Sequence, residues 1–444
     1  MKVDFNLGKG AIMCTRGKKE HDKAYYDLTA GGIFCCMFGA FWYKVQLIMD
    51  RARPIHLYSN RFKNHYWKER YEEALRNLTG MEPLAIYTSG TEAVEAFLRV
   101  AWAHTGKSGM WGGLVDPDDV GKDKPICDQF HGWTLGSRIL AGRMTWNELG
   151  VYPELGATRF GMSPQYTACM AMEPYHAPSG QFHREDPTIN RIRSLRKEYP
   201  DILFLIDEIQ GGFGRCGKLF AHEWYDNLKP DFVTIGKLAG AGFPLAVLLG
   251  PKEILESDAV QQHAYLHSTH SASPLICCAG TFVIEEMLAK DLITRSYRMG
   301  LKMHGWLAKL PVRVHGKGLM AGLEFESAEE AAKVVMRCEQ RHVLVVDTGR
   351  KWVKIGPCLN IDGEHLEKCL KILGEVVIET VEERTSNTPA RGTVSTKPES
   401  SSSDVESVRF QGGVERIVES SQDGGQEGPD NGAGSGEVAP SSGS

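Results

Sequence analysis

Two charged residues, Asp207 and Lys237, each follow a short apolar run of the kind that forms a buried strand, residues 201–206 and 232–235. Either residue alone has an ordinary explanation, since strand-end lysines are usually solvated and strand-end acids often cap helices. Together they predict a site, because the carboxyl ends of parallel strands share one edge of a sheet, where ligands bind. A lysine amine forms a Schiff base with an aldehyde, and a buried carboxylate keeps a pyridine nitrogen protonated. The pair therefore predicts pyridoxal-phosphate chemistry.

A phosphate group needs backbone N–H donors, which the first turn of a helix supplies. Ser89-Gly90-Thr91 opens a helical pattern, with a capping hydroxyl and Glu92 in the first turn. Phe130 and Ile209 are the apolar residues that we expect on the two faces of a flat ring. The sequence thus predicts a complete set of contacts for the cofactor.

The elements that must position these residues alternate between strands and helices, which predicts an α/β fold with a mainly parallel central sheet. A third strand, residues 166–172, ends at Glu173. We expect helices at residues 187–199 and between the strands that end at Asp207 and Lys237. Residues 311–381 indicate a smaller α+β domain. The predicted organisation is an N-terminal segment (1–45) that packs with the small domain, a large domain (46–285), the small domain (286–384) and a tail (385–444).

The tail differs from the rest of the chain in composition. Residues 397–404 are rich in Ser, and the segment that follows consists mainly of Gly, Ser, Gln, Pro and acids, with one weak apolar cluster at 405–418. Such a sequence cannot bury enough apolar surface to offset the entropy lost on ordering. We therefore predict that the tail is disordered.

Overall composition excludes several classes of protein. The 444 residues include 51 Lys+Arg and 56 Asp+Glu, a net charge of -5, which argues against a main role in nucleic-acid binding. No apolar run reaches the roughly 18 residues that a membrane helix needs, so we expect no membrane insertion. The eleven cysteines form no C-x-x-C pair. We infer neither a metal site nor a disulfide framework, but thiols in a reducing cytoplasm.

The order of these motifs resembles that of the class III pyridoxal-phosphate aminotransferases, a family of fold type I. The resemblance covers about residues 5–384. Its matching stretches, in order, are 89–95, 130–132, 173–174, 207–217, 218–223, 231–237, 269–274 and 316–319. Each stretch alone is a weak signal, but all of them in order, with thirty residues from Asp207 to Lys237, form a strong one.

The resemblance implies a role for each matching residue. Lys237 would form the Schiff base and carry protons, Asp207 would pair with the pyridine nitrogen, and Gln210 would bind the ring 3′-oxygen. Thr269 would bind the phosphate of the neighbouring subunit's cofactor, which implies a homodimer. The implied cofactor-binding residues are Ser89, Gly90, Thr91, Phe130, His131, Asp207, Ile209, Gln210, Lys237 and Thr269.

The implied substrate residues are Glu173, Trp133 and Lys354, and two of them depart from the pattern of the family. Trp133 and Lys354 stand where many members have arginines that bind substrate carboxylates. Lysine lacks the bidentate grip of a guanidinium group. Glu173 would line the pocket and pair with Lys354. We therefore expect a weaker preference for dicarboxylate substrates.

Three functions compete at this stage. The first is an aminotransferase that moves an amino group from a primary amine or amino acid to a 2-oxo acid. The second is an aminomutase of the glutamate-1-semialdehyde type, which shares most of the motifs. The third is a non-catalytic homologue that keeps the fold as a binding protein. Gln210 favours the transferase over the mutase, and the joint presence of Lys237, Asp207 and Gln210 disfavours the third hypothesis.

Overall fold

Strands and helices alternate through most of the chain in the computed structural model, which describes residues 5–9, 11–15, 24–39, 42–59, 61–107, 109–112, 164–177, 180–183 and 189–387. The strands are β1 (Phe5–Lys9), β2 (Ile12–Thr15), β3 (Ala24–Asp27), β4 (Glu82–Tyr87), β5 (Gly109–Gly112), β6 (Thr167–Met172), β7 (Tyr175–His176), β8 (Gln181–Phe182), β9 (Leu203–Asp207), β10 (Phe232–Ile235), β11 (Ala246–Gly250), β12 (Arg313–Lys317), β13 (Met320–Glu324), β14 (Val343–Leu344), β15 (Val346–Asp347) and β16 (Trp352–Ile355). The α-helices are α1 (Val45–Arg51), α2 (Tyr66–Thr79), α3 (Gly90–Thr105), α4 (Asn190–Glu198), α5 (Lys252–Leu255), α6 (Asp258–His263), α7 (Pro274–Ala289), α8 (Leu292–Leu307), α9 (Ala328–Gln340) and α10 (Gly363–Asn387). Shorter turns are a π-type turn at Ala30–Phe34 and 3₁₀ turns at Pro164–Tyr166, Ala221–Trp224 and Lys237–Gly240.

A six-stranded sheet in the order β4-β11-β10-β9-β6-β5 forms the centre of the fold. The pairs β5–β6, β6–β9 and β9–β10 are parallel, whereas β11 runs antiparallel to both of its neighbours. The predicted mainly parallel sheet is therefore confirmed. In the β9–β10 register Thr234 lies opposite Asp207, so the chain leaves both strands at the same edge of the sheet.

Helices cover both faces of this sheet because its central strands are apolar on both sides. In β10, Phe232 packs against Phe97 of α3 with ring centroids 5.1 Å apart. Val233 of the same strand belongs to the core on the opposite face, together with Tyr71 of α2 and Ile276 of α7. Strands buried on both faces read as continuous apolar runs, which is why the sequence predicts them.

The C-terminal part contains a separate antiparallel sheet in the order β12-β13-β16-β15, with helices α8, α9 and α10. The N-terminal strands β1, β2 and β3 form an antiparallel sheet of their own, which β14 extends in parallel through the pair Val343–Tyr26. Helix α10 continues to Asn387, three residues beyond the predicted start of the tail. The remainder of that predicted tail lies outside the described residues.

The helix predicted between β9 and β10 is wrong. Apart from one short 3₁₀ turn at Ala221–Trp224, this segment consists of turns. Positive φ angles at Phe213 (52°), Gly214 (85°) and Gly217 (82°) are incompatible with a right-handed helix. Gly212, Gly214 and Gly217 have the Gly-x-Gly-x-x-Gly spacing of a dinucleotide-binding motif, but that motif begins an α-helix and this segment does not.

A buried carboxylate organises these turns. Glu208 Oε2 accepts a hydrogen bond from Ala221 N at 2.8 Å, and Glu208 Oε1 accepts one from His222 N, also at 2.8 Å. These bonds close the loop immediately after Asp207. Sequence periodicity does not predict these contacts, because Glu208 is thirteen and fourteen residues away from the two residues that it binds.

We expect Gly300→Ala to destabilise the protein by about 1–3 kcal/mol, the range for overpacking in a filled site. A Cβ atom at Gly300 of α8 would lie 2.4 Å from the carbonyl group of Gly318. Gly305→Ala is the matched control on the same helix, since a Cβ atom there would meet nothing within 4 Å. It should stabilise by about 0.5–1 kcal/mol through helix propensity. Urea denaturation measures both, and equal free energies of unfolding for the two variants would contradict this packing.

Candidate active site

A cavity of about 740 Å³ opens at the edge of the central sheet where β9 and β10 end. The predicted site residues on its wall are Gly90, Thr91, Glu173, Asp207, Ile209, Gln210, Lys237 and Lys354. They come from five separate parts of the chain, and the central sheet and strand β16 of the C-terminal sheet bring them to one cavity. The cavity is large enough for a small organic cofactor and a substrate.

Lys237 is placed by a break in the backbone directly after β10. Gly236 is extended, with φ of -171°, and Lys237 itself has φ of 45°, in the left-handed region that non-glycine residues seldom occupy. Such a conformation costs of order 1–3 kcal/mol and persists only where the surroundings enforce it. In this conformation Lys237 is half-buried at the edge of the sheet and lines the cavity.

Asp207, the last residue of β9, is a buried carboxylate. Its pKa is raised to about 7, mainly by burial and also by the nearby Glu173 charge, while a hydrogen bond from Ile209 N to Oδ1 at 2.9 Å opposes the shift. A cationic partner stabilises the ionised form of a carboxylate that burial disfavours in this way. A protonated ring nitrogen is such a partner.

The N-terminus of α3 forms the part of the wall suited to a phosphate. Ser89 Oγ accepts a hydrogen bond from Glu92 N at 3.3 Å, and Glu92 Oε2 accepts one from Ser89 N at 3.0 Å, a reciprocal capping box. The Ser89 side chain therefore caps the helix and is absent from the cavity wall, whereas Gly90 and Thr91 are on it. A Cβ atom at Gly90 would lie 2.5 Å from Ile209 Cδ1, so a larger residue here would have to displace the end of the Ile209 side chain.

Lys354 and Glu173 both bind the main chain of Ala177. Lys354 Nζ donates to Ala177 O at 2.6 Å, and Ala177 N donates to Glu173 Oε2 at 3.1 Å. Lys354 Nζ also lies 3.4 Å from Gln210 Oε1 and 5.3 Å from the centre of the Phe34 ring. Burial lowers the pKa of Lys354 to about 8, while the Glu173 charge opposes that shift. The Lys354 side chain is 4% exposed, so it is held within the wall.

Of the remaining predicted residues, Thr269 alone is among those that the structure describes. Thr269 is exposed and is not on the wall of the cavity. Phe130, His131 and Trp133 lie outside the described residues. Sequence reasoning missed a turn that forms another part of the wall and includes Asp347, Thr348 and Arg350. The Asp-Thr-Gly sequence at 347–349 indicates a turn, but no local pattern shows that it faces Lys237.

Comparison with known proteins identifies the family. The model of the family described as aminotransferase class-III matches residues 153–377, just over half of the chain. An ornithine aminotransferase of Macrococcus caseolyticus is 30% identical over 349 residues, which cover 73% of this chain and 82% of that protein. An acetylornithine aminotransferase of Aquifex aeolicus is 26% identical over 391 residues, with coverage of 85% and 97%.

The chain belongs to the class-III aminotransferase family. It is a pyridoxal-phosphate-dependent aminotransferase, which transfers an amino group from an amine or amino acid to a 2-oxo acid. These comparisons support the transferase rather than the aminomutase alternative. The residues present fit the cofactor. The buried Asp207 carboxylate, whose pKa is raised, suits a cationic ring, and the helix N-terminus at Gly90, which has no side chain, suits a phosphate.

Solved structures confirm the fold. The ornithine aminotransferase of Toxoplasma gondii, in a structure with pyridoxal phosphate partly occupying its active site, aligns with a TM-score of 0.67. It is 20% identical, and the alignment covers 87% of this chain and 92% of that one. The fold-type-I architecture expected from the sequence is therefore present. Within the described ranges, no helix combines the length and the apolar character needed to cross a bilayer.

The raised pKa of Asp207 predicts a pH-dependent stability in the cofactor-free protein. Between about pH 4 and pH 7 the folded state holds a proton that the unfolded state has released. The contribution of Asp207 to the free energy of unfolding therefore falls as pH rises through this window. Asp207→Asn removes the titration, so the variant should become more stable relative to wild type by a few kcal/mol between pH 4 and pH 8.

Thermal unfolding at a series of pH values measures this difference. Asp201→Asn, an exposed position just before β9, is the matched control and should show the same pH dependence as wild type. If the curves of wild type and Asp207→Asn stay parallel from pH 4 to pH 8, the Asp207 carboxylate is not held in its protonated form.

Proposed function

We propose that Lys237, Asp207 and Gln210 form the catalytic centre of this aminotransferase. The observation that carries the proposal is that the strained Lys237 and the buried Asp207 face one cavity from adjacent parallel strands. When bound, pyridoxal phosphate supplies an aldehyde that condenses with amines and a cationic ring that withdraws electrons from the reacting carbon. The chain supplies the groups that hold this cofactor and move protons around it.

Each residue has a distinct task in this proposal. Lys237 Nζ bonds to the cofactor and carries a proton to and from the reacting carbon. Asp207 accepts a hydrogen bond from the ring nitrogen and keeps it protonated, and Gln210 binds the ring 3′-oxygen. The backbone N–H groups of Gly90 and Thr91 bind phosphate at the end of the helix that Ser89 caps.

Apolar and aromatic side chains complete the site. Ile209 lies against the helix end and lines the cavity, which supports its assignment to one face of the ring. We assign the other face to Phe130, with His131 beside it, on the family pattern alone. We assign three residues to the substrate side of the pocket: Glu173, Trp133 and Lys354. Glu173 and Lys354 both form hydrogen bonds with the main chain of Ala177.

The amino donor that we propose is an amino acid with a terminal amine, because the relatives are named for ornithine and acetylornithine. A panel of such donors, each with pyruvate or 2-oxoglutarate as acceptor, tests this substrate class. Product that forms only when an acceptor is present supports transfer between two molecules. Isomerisation of a donor without an acceptor would favour the aminomutase.

We further propose that the enzyme is a homodimer. Large apolar side chains with 37–62% of their surface exposed are concentrated between residues 43 and 66: Tyr43, Val45, Leu47, Met49, Ile55, Tyr58, Phe62 and Tyr66. A concentration of this kind marks an interaction surface. Thr269 lies off the cavity of its own chain, which fits its assignment to the cofactor phosphate of a second subunit.

The domain division and the compartment are also proposals. Pairing of β3 with β14 supports an N-terminal segment, 1–45, that packs with a small domain of residues 286–384, beside a large domain of residues 46–285. Nine of the cysteines in the described ranges have free thiols. Free thiols are typical of a reducing compartment, which supports a cytoplasmic location.

Lys237→Ala should abolish transamination, with a loss of at least about 10³-fold in kcat, because no other amine in the proposal can replace its bond and its proton transfer. Lys252→Ala is the control, since Lys252 has a side chain 62% exposed on α5. Steady-state kinetics measure kcat of both variants, and circular dichroism shows whether each variant is folded. A folded Lys237→Ala enzyme with activity close to wild type would exclude Lys237 as the catalytic lysine.

Phe62→Asp should convert the dimer to monomer and lower activity, because a buried unpaired charge at an interface costs several kcal/mol. Leu301→Asp is the matched control, since Leu301 is a similarly exposed apolar residue on α8, outside residues 43–66. Sedimentation velocity measures the assembly state of both. A Phe62→Asp protein with the same sedimentation coefficient as wild type would show that this surface is not the interface.

A further inference from the structure

The Lys354 ammonium group is held between separate segments of the chain that meet at the active-site cavity. Lys354 Nζ donates a hydrogen bond to Ala177 O at 2.6 Å and lies 5.3 Å from the centre of the Phe34 ring. It also donates to Gln210 Oε1 at 3.4 Å. These contacts fix the ammonium group at the cavity wall, beside the segment that follows Asp207.

Packing holds the rest of the Lys354 side chain in place. All four residues of its strand, β16, are buried. A Cβ atom at Gly180, the residue before β8, would lie 3.2 Å from Lys354 Cγ, so the stem of the lysine packs directly on the backbone of Gly180. Burial lowers the pKa of Lys354 to about 8, so the ammonium form predominates at neutral pH. Lys354 is therefore a cation in a fixed position.

A cation of this kind distinguishes the two ends of the neighbouring amide. An ammonium group has three N–H donors and no acceptor, so it binds the oxygen of an amide and not the nitrogen. The two ends of a glutamine amide have nearly the same shape, and the terminal torsion of the side chain is roughly two-fold. The contact with Lys354 therefore selects the orientation in which Gln210 Oε1 faces the ammonium group and Nε2 is left to donate elsewhere.

The cavity is where that remaining donor has a use. Gln210 lines the cavity together with Lys237 and Asp207. In the proposed function Gln210 binds the ring 3′-oxygen, and an ionised oxygen accepts hydrogen bonds but cannot donate them. The amide must therefore present its N–H group to the ring, because the opposite orientation would bring two oxygens with partial negative charge together.

We propose that Lys354 is a positioning residue, which orients the Gln210 amide so that its N–H group faces the 3′-oxygen of the cofactor. The proposal rests on the proposed function, in which Gln210 contacts that oxygen. The ammonium group also polarises the amide, which makes its N–H group a stronger donor. This donor draws negative charge from the 3′-oxygen, so a proton on the nearby nitrogen that joins Lys237 to the cofactor is held less tightly.

The pH midpoint of the visible absorption band of bound pyridoxal phosphate measures how tightly this proton is held. Gln210→Ala removes the donor, and Lys354→Met removes the group that orients it. Each change should raise the midpoint by about 1 unit, a tenfold change in the dissociation constant of the proton. Each should also weaken the binding of pyridoxal phosphate to the cofactor-free protein by about tenfold, the lower end of the range for a hydrogen bond to a charged group.

A double variant, which combines Gln210→Ala with Lys354→Met, separates the orientation of the amide from the charge of the lysine. If Lys354 acts through Gln210, the double variant should have the midpoint and the Kd of Gln210→Ala alone, because residues that act through one contact give non-additive effects. Shifts that add in the double variant would show that the lysine acts by its charge without the amide, and would overturn the proposal.

Two further variants serve as controls, with circular dichroism to show that each variant is folded. Lys354→Gln retains a donor for Ala177 O but can face Gln210 with either end of its own amide, so it should also raise the midpoint. Lys351→Met removes a positive charge just before β16 that pairs with Glu324 at 2.8 Å and is not on the cavity wall. It should leave the midpoint and the Kd unchanged.

The same measurements separate this proposal from the proposed function. An unchanged midpoint and Kd in Gln210→Ala would remove Gln210 from the cofactor site and would overturn both. A raised midpoint in Gln210→Ala, with wild-type values in Lys354→Met and Lys354→Gln, would leave the catalytic centre as proposed and overturn the role of Lys354.

Discussion

Burial of the Asp207 carboxylate is the constraint on which the arrangement of this site depends. At the end of β9 the side chain is removed from water and lies near Glu173, so its ionised form is disfavoured and its pKa rises to about 7. A cationic ring nitrogen at this position would shift Asp207 from its protonated to its ionised form, because an opposite charge favours the ionised carboxylate. The nearby Lys237 charge opposes the rise in the pKa of Asp207 only in part, so in the proposed site a further cation would stabilise the ionised carboxylate and would link cofactor binding to the stability of the protein.

The same edge of the sheet explains why the surrounding backbone is so tightly packed. Ile209 leaves almost no room at Gly90, and a Cβ atom at Gly236 would lie 3.3 Å from Ile209 Cγ2. Two glycines thus allow the end of α3 and the end of β10 to approach one isoleucine. That close approach brings the N–H groups of the helix, the strained Lys237 and the carboxylate of Asp207 to a single cavity.

Features that depend on local sequence were predictable, and features that depend on distant contacts were not. The apolar runs of β9 and β10 and the capping residues of α3 carry their signals within a few residues, so the sheet edge and its main site residues follow from the sequence. The turns after β9 depend on Glu208 bonding to a main chain more than ten residues away. The position of Arg350 depends on the C-terminal sheet meeting the cavity, which no pattern in residues 347–350 encodes.

Lys354 and Glu173, which we assign to the substrate side of the pocket, both contact one residue of its wall. Lys354 stands at an arginine position of the family, and its ammonium group binds Ala177 O, while Glu173 binds the N–H of the same residue. Both charges thereby hold one peptide segment of the wall, and each offsets the desolvation of the other. Such a pair is poorly suited to exchange its partners for a substrate carboxylate.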